Sequence, residues 1–310
     1  MIKIKFVDFW EGFIENNFLY NTLKKYFPIV ISSNPDFIIY SVYGNSHLNY
    51  NCTKIFYTAE NVSADYKFCD YSIGFEYSEN PRHLRYPLFL FYGDINSLIK
   101  KTIFTKEVFN TKTNFCSFVV SNELAKERID FFRLLCSLKK VDSAGRVLNN
   151  MKDGWRIPDG DKYNFLKSYR FNIAFENSSS KGYTTEKIFE PLMVNSIPIY
   201  WGDPLVNQDF NEKSFVNIKK LDEVSTYIDK IMHLENDIDS YLEILNTPCL
   251  TNNVVPYHLK EDRLYEFFNR IFYQDNIQPV SKSNAYQLNK IYFLAAKQYE
   301  RLIQVIKKPI

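Results

Sequence analysis

Short runs of strand-forming residues recur along this chain, separated by longer polar and amphipathic stretches, and that alternation constrains the fold more than any other feature. IKIKFV (2–7), DFIIYSV (36–42), KIFYTA (54–59), YSIGF (71–75), FCSFVV (115–120), FNIAF (171–175) and IPIYW (197–201) are rich in β-branched and aromatic residues and read as strands. Residues 123–139 place Leu124, Ile129, Phe132, Leu135 and Cys136 at helical spacing, as 185–194 place Ile188, Phe189, Leu192 and Met193. Strands alternating with helices imply parallel sheets covered by helices, an α/β fold. The stretch 93–114 lacks pattern and is rich in Lys, Thr and Asn. It marks a domain boundary, giving domains 1–108 and 109–272 and a C-terminal tail, 273–310.

A chain of 310 residues with 45% hydrophobic and 17% aromatic residues can bury two cores. Lys and Arg number 38 against 36 Asp and Glu, so the net charge of +2 offers no footprint for nucleic acid. Five cysteines without a CxxC pair fit reduced thiols better than a disulfide framework. The amino terminus, MIKIKFVDFWEG, carries charges where a signal peptide needs an apolar core, and no run of 18 apolar residues occurs. The expected location is the cytoplasm.

Residues 171–204 form one strand–loop–helix–strand unit of the size of a crossover. Its loop holds Glu176, Asn177, three serines, Lys181, Gly182, Tyr183 and two threonines before Glu186 and Lys187. In open parallel sheets ligands bind beyond the carboxyl ends of strands, and a helix starting near Thr184 or Thr185 offers backbone N–H groups to an anion. Lys187 adds a full charge; Pro191 should kink that helix. The residues alone fit an ordinary polar loop with a helix cap equally well. The nine glycines include neither GxGxxG nor GxxxxGK[ST], and the four histidines show no metal-binding spacing. Asp159 and Asp161 could grip a divalent ion, but Pro158 and Gly160 make that segment a solvated turn.

FENSSSKGYTTEKIFEPLMVNSIPIYWGDP (175–204) resembles the signature of the alpha-1,3-fucosyltransferases, in which FEN, GY, TEK and IPIYWG recur at this spacing. KIFYTAENVSADYKFCDYSIGFEY (54–77), RHLRYPLFL (82–90), SFVVSN (117–122) and NEKSFVNI (211–218) are similar to further family blocks, in the family's order, as is WEGF…SVYGNSH near the start. The resemblance reaches to about residue 260; the acidic-leucine heptad repeats of some bacterial members are missing.

The resemblance implies two facing Rossmann-like domains with an interdomain cleft, the B-type glycosyltransferase architecture, with acceptor mainly on the first and GDP-fucose mainly on the second. It implies inverting transfer of fucose to an N-acetyllactosamine or Lewis-type acceptor. The base is the acid of the T-x-E-N block, Glu60 in YTAEN. Donor residues carry over as Asn177, Tyr183, Glu186 and Lys187, with Lys187 on phosphate and Glu186 on fucose or ribose hydroxyls. Arg128 of SNELAKERIDFF joins them for the diphosphate, against the alternative of a surface helix arginine. Charge supplied by Arg128 and Lys187 makes a metal cofactor non-obligatory, with Mn²⁺ or Mg²⁺ at most stimulating. The partners implied are GDP-fucose and an oligosaccharide or glycolipid acceptor. Another nucleotide-sugar enzyme of the same architecture, or a non-catalytic glycan- or nucleotide-binding protein, stays open.

Beyond the resemblance, 281–310 holds six basic residues against Glu300 and so carries +5 of a chain total of +2. Leu288, Ile291, Tyr292, Ala295, Tyr299, Leu302, Ile303 and Ile306 recur every three or four residues. A basic amphipathic helix of this kind either lies on an anionic membrane surface or packs on protein, its own chain or another copy.

Overall fold

Short runs rich in β-branched and aromatic residues become parallel strands, and their order builds two separate sheets. The structure is a computed structural model that describes residues 1–13, 17–158, 160–275 and 277–306. Contacts divide the chain into a first unit of 1–74, 78–86 and 261–310 and a second of 75–77 and 87–260.

The first unit contains β1 (Ile2–Val7), α1 (Phe18–Tyr26), β2 (Ile29–Ile31), β3 (Phe37–Tyr40), β4 (Thr53–Tyr57), β5 (Tyr71–Gly74) and β6 (His83–Arg85). Asn17 starts α1 by accepting from the Tyr20 N–H at 2.9 Å, which satisfies a first-turn donor. The strands pair in parallel in the order β2-β1-β3-β4-β5-β6. Strand order therefore reverses between β1 and β3, where Ile4 faces Phe37 and Val7 faces Tyr40. A ligand crevice belongs beyond the carboxyl ends of such a strand pair.

The second unit contains α2 (Lys106–Thr111), β7 (Asn114–Phe118), α3 (Lys126–Leu138), β8 (Val141–Ser143), α4 (Lys162–Lys167), β9 (Tyr169–Phe175), α5 (Glu186–Met193), β10 (Ile197–Trp201), β11 (Val216–Asn217), α6 (Val224–Asn236) and α7 (Ile238–Asn246). Its sheet, also parallel, runs β11-β10-β9-β7-β8 and reverses between β7 and β9. On one face α3 stacks Phe132 on Phe118 and Phe131 on Phe175, each pair with ring centroids 4.7 Å apart. On the other, Ile188, Phe189 and Leu192 of α5 join Ala174 and Tyr200 in a second core. Both faces are thus covered, as an all-parallel sheet requires.

Helix α5 runs through Pro191 and stops two residues later. The Asn195 N–H reaches the Leu192 carbonyl at 3.2 Å and the Ser196 N–H the Pro191 carbonyl at 2.9 Å, with Asn195 at φ 56°. This paired closure ends the helix cleanly on a left-handed asparagine.

The units differ from the sequence-based domains 1–108, 109–272 and 273–310. Residues 87–108 belong to the second unit: the Lys100 N–H donates to Asn253 Oδ1 and the Phe104 N–H to Asn246 Oδ1, both at 2.7 Å. Side-chain amides hold a segment that shows no periodicity. The chain then returns to the first unit with α8 (Asp262–Phe272) and α9 (Asn284–Ile306). Helix α8 sets Phe272 against Phe27 and Phe37 with centroids 5.1 and 4.9 Å away, so it covers the first sheet. Helix α9 is anchored at its start, where Tyr286 is buried beside Phe68 and the Lys54 ammonium. Further along, Leu288, Ile291, Tyr292 and Tyr299 are exposed. The side chains of Leu302 and Ile306 lie outside the described residues, as do Lys307 and Lys308.

Candidate active site

The polar loop between β9 and α5 is organised by two carboxylates that leave little of it to chance. Glu176, immediately after β9, is fully buried. Its Oε1 accepts from the Thr185 N–H at 2.7 Å, and its Oε2 from Thr185 Oγ1 at 2.6 Å and from Lys187 Nζ at 3.3 Å. Asp203, after β10, accepts from the Gly182 and Leu205 N–H groups at 2.8 Å and from Thr184 Oγ1 at 3.0 Å. One carboxylate fixes the helix start and the other fixes the loop before it. Each is a buried charge surrounded by donors, which burial demands.

Two glycines make room for this arrangement. Gly182 sits at φ 83°, and a Cβ there would strike the Phe75 carbonyl. A Cβ on Gly202 would come within 2.8 Å of Glu176 Cβ, so only glycine leaves the Glu176 stem its place.

Thr185 stands at the N-cap of α5 without a side-chain cap, and Glu186 and Lys187 open the helix. Lys187 Nζ lies 3.3 Å from Glu176 and 3.5 Å from Glu186. Burial opposes the ammonium, but Glu186 and then Glu176 more than offset it and hold Lys187 protonated far into the alkaline range. Burial likewise opposes the Glu186 carboxylate, yet Lys187 and Lys162 pull its pKa below the usual value. Glu176 goes the other way, since full burial raises its pKa despite Lys187.

Arg128 sits on α3 and is 1% exposed. Its Nη2 donates to the Asn122 carbonyl at 2.6 Å and its Nη1 to Asn177 Oδ1 at 3.0 Å, while Nε has no protein partner. Asn122 follows β7 and Asn177 follows β9, so the guanidinium spans the point where strand order reverses. Tyr183 is buried with its ring 5.1 Å from that of Phe75. Arg128 also lies within electrostatic reach of Glu176, Tyr183 and Glu186.

Glu60 belongs to the first unit, in the loop after β4. Thr58 Oγ1 accepts from the Glu60 N–H at 3.0 Å and donates to its carbonyl at 2.9 Å, a clasp that turns the carboxylate out of the strand. Tyr43 donates from its hydroxyl to Glu60 Oε1 at 2.8 Å. Burial and this bond push the Tyr43 phenol up to about 12.

Asp161 accepts from Asn164 Nδ2 at 2.6 Å at the start of α4, and its companion Asp159 lies outside the described residues. None of the five cysteines is in a disulfide. Among the described residues, no helix is long and apolar enough to cross a membrane.

Sequence reasoning passed over Glu176 and Asp203 as site residues. The first is adjacent to FEN's asparagine and the second ends IPIYWGD, so a signal was present, but only the fold shows which donors converge on them.

Lys187 thus opens α5 after β9 in the second parallel sheet, and Glu60 follows β4 in the first. Residues 4–92 match the model of the alpha-(1,3)-fucosyltransferase FucT N-terminal domain, and 109–246 that of the glycosyltransferase family 10 (fucosyltransferase) C-terminal part. The alpha-(1,3)-fucosyltransferase FucT of Helicobacter pylori is 32% identical over 323 residues, which cover 89% of this chain and 67% of that protein. GDP-fucose protein O-fucosyltransferase 3 of Gallus gallus is 31% identical over 120 residues, 36% of this chain and 25% of that one. The crystal structure of an alpha1,3-fucosyltransferase superposes with a TM-score of 0.75 at 30% identity, covering 91% of this chain and 93% of the other. The structure of an alpha1,3-fucosyltransferase with GDP-fucose gives 0.71 at 30% identity, covering 90% and 92%. The chain belongs to the alpha-1,3-fucosyltransferase family.

Proposed function

We propose that this protein transfers L-fucose from GDP-fucose, with inversion, to a hydroxyl of an N-acetylglucosamine-containing glycan, forming an alpha-1,3 linkage. The observation that carries the proposal is Lys187 held charged between Glu176 and Glu186 at the opening of α5, in the neighbourhood of Arg128, Asn177 and Tyr183.

In this reading the helix start and Lys187 bind the diphosphate and stabilise the charge that gathers on departing GDP. Arg128 orients Asn177 and adds its own positive charge; Glu186 receives sugar hydroxyls. Glu60 takes the proton of the attacking acceptor hydroxyl as general base. Fixed cations make a metal cofactor non-obligatory in the proposal, with Mn²⁺ or Mg²⁺ at most stimulating. The acceptor is a Lewis-type oligosaccharide or glycolipid. The protein works in the cytoplasm, in peripheral contact with the membrane through the basic apolar face of 281–310.

The test is incubation with GDP-fucose and N-acetyllactosamine, with the product linkage fixed by NMR. An α-1,3 fucoside is expected, in the presence of EDTA as well, and Lys187→Ala should weaken GDP binding by calorimetry. Preference for another nucleotide sugar would move the protein to a different donor class. Complete loss in EDTA reversed by Mn²⁺ would promote Asp159 and Asp161 to metal ligands.

A further inference from the structure

We infer that Trp10 and Tyr43 form the acceptor subsite, an aromatic corner at the switch point of the first sheet that seats the apolar face of a pyranose and presents its hydroxyl to Glu60. The inference rests on the transfer reaction proposed above and adds to it where the acceptor binds.

Three observations converge. The first is topological. Trp10 follows β1, Tyr43 follows β3, and strand order reverses between those two strands, so both rings stand where an open parallel sheet receives its ligand. The second is exposure: in a unit whose other aromatic rings near β1 form a packed cluster, Trp10 is 37% and Tyr43 49% exposed. Their centroids are 6.0 Å apart at 81°, an edge-to-face corner and not a collapsed stack. The third is the carboxylate, since Tyr43 donates to Glu60 Oε1 at 2.8 Å and so ties the ring wall to the base.

The corner is built to keep its shape. Behind Trp10, Phe13 packs edge-on at 4.8 Å and stacks on Phe9 at 4.0 Å. Asp8, at φ 59°, holds the loop that carries Tyr43. Its carboxylate accepts from the Ser46 and His47 N–H groups at 2.7 and 2.8 Å and meets His47 Nδ1 at 2.7 Å, while its carbonyl accepts from the Tyr43 N–H at 3.0 Å. A side chain at Gly44 would collide with that carboxylate. Rigid aromatic faces suit sugars because the axial C–H face of a pyranose is apolar and its rim is polar, so stacking and hydrogen bonding act at right angles. Here the rim partner is Glu60, and Tyr43 is the residue that positions it.

The test compares wild type with Trp10→Ala, Trp10→Phe and Tyr43→Phe. With GDP-fucose saturating, Trp10→Ala should raise the KM for N-acetyllactosamine about tenfold, the size of one lost aromatic contact. GDP affinity by calorimetry should not move, and Trp10→Phe should recover most of the loss. Tyr43→Phe keeps the ring and loses the hydroxyl, so kcat should fall while acceptor KM changes little. An acceptor KM unmoved by Trp10→Ala in a folded protein overturns the subsite. Intrinsic fluorescence titrated with N-acetyllactosamine alone separates this from a wrong donor or reaction. A saturable change in wild type that Trp10→Phe diminishes supports the subsite even if no fucose is transferred, and its absence in wild type overturns it.

Discussion

Three small constraints fix where Glu60 stands: the end of β4, the Thr58 clasp on both sides of its backbone, and the Tyr43 hydroxyl on its carboxylate. None of these involves the loop between β9 and α5, proposed to bind the donor, which belongs to the other unit. Glu60→Gln should therefore lower transfer by roughly two orders of magnitude, the usual size of general-base catalysis, with GDP affinity nearly unchanged. Turnover kept within a few-fold would remove Glu60 from the proton transfer. At this scale legibility depended on neighbourhood in sequence. Asn177, Tyr183, Glu186 and Lys187 lie in one segment and carry over together from the family motif. Glu176, Asp203 and Tyr43 act through partners 9, 21 and 17 positions away, and no local pattern shows which partner a carboxylate or phenol will meet.

Helix α9 divides into a docked start and an exposed remainder. Val280 donates its N–H to Asp70 Oδ1 at 2.6 Å, Ser281 is buried and Tyr286 sits beside Lys54, whereas the apolar stripe from Leu288 to Tyr299 faces solvent. A chain ending near residue 293 should keep the melting temperature of the whole protein and lose sedimentation with anionic vesicles, whereas one ending at Pro279 should melt several degrees lower. Unchanged vesicle binding by the shorter chains would assign the exposed stripe to a second copy or another partner. The same contrast shows why some elements can be read in advance. β1, β9 and β10 are runs of five to seven residues rich in β-branched and aromatic side chains, and α3 and α5 are periodic over two turns or more. Three-residue β2, β6 and β8 are too short for any period to register, and they are strands because a neighbour supplies the ladder.

At the scale of the whole molecule, each unit buries one lysine among the described residues, with its hydrogen bonds going to carbonyls. Lys54 donates to the His47 and Tyr50 carbonyls, and Lys112 to those of Lys167 and Val194 at 2.9 and 3.1 Å. Burial pulls both ammonium groups down to about 8, from 10.5 for an unhindered lysine. Between those values the unfolded chain holds more protons at these two amines than the folded one, so each lysine contributes an unfolding free energy that rises from pH 8 to pH 10, by on the order of 3 kcal/mol per amine at most. Across the same range the buried thiols of Cys69, Cys116 and Cys249 and buried phenols such as Tyr40, all kept protonated by burial, pull the other way. Urea unfolding of the parent and of Lys54→Met with Lys112→Met at pH 8, 9 and 10 isolates the amines: the parent's stability relative to the double variant should rise with pH, and a difference that falls from 8 to 10 would refute the assignment.

The return of residues 261–310 to the first unit also sets a timetable for synthesis. Emerging from the ribosome, the first sheet has Phe27 and Phe37 in place but not Phe272, the ring that covers them, until the whole second unit has been made. At translation rates of about 5–20 residues per second that wait lasts on the order of ten seconds or more. During it the second unit, continuous from Pro87 to Lys260, can close its own core, while the first remains an open sheet in need of shelter. The half of the enzyme made first is thus the half completed last.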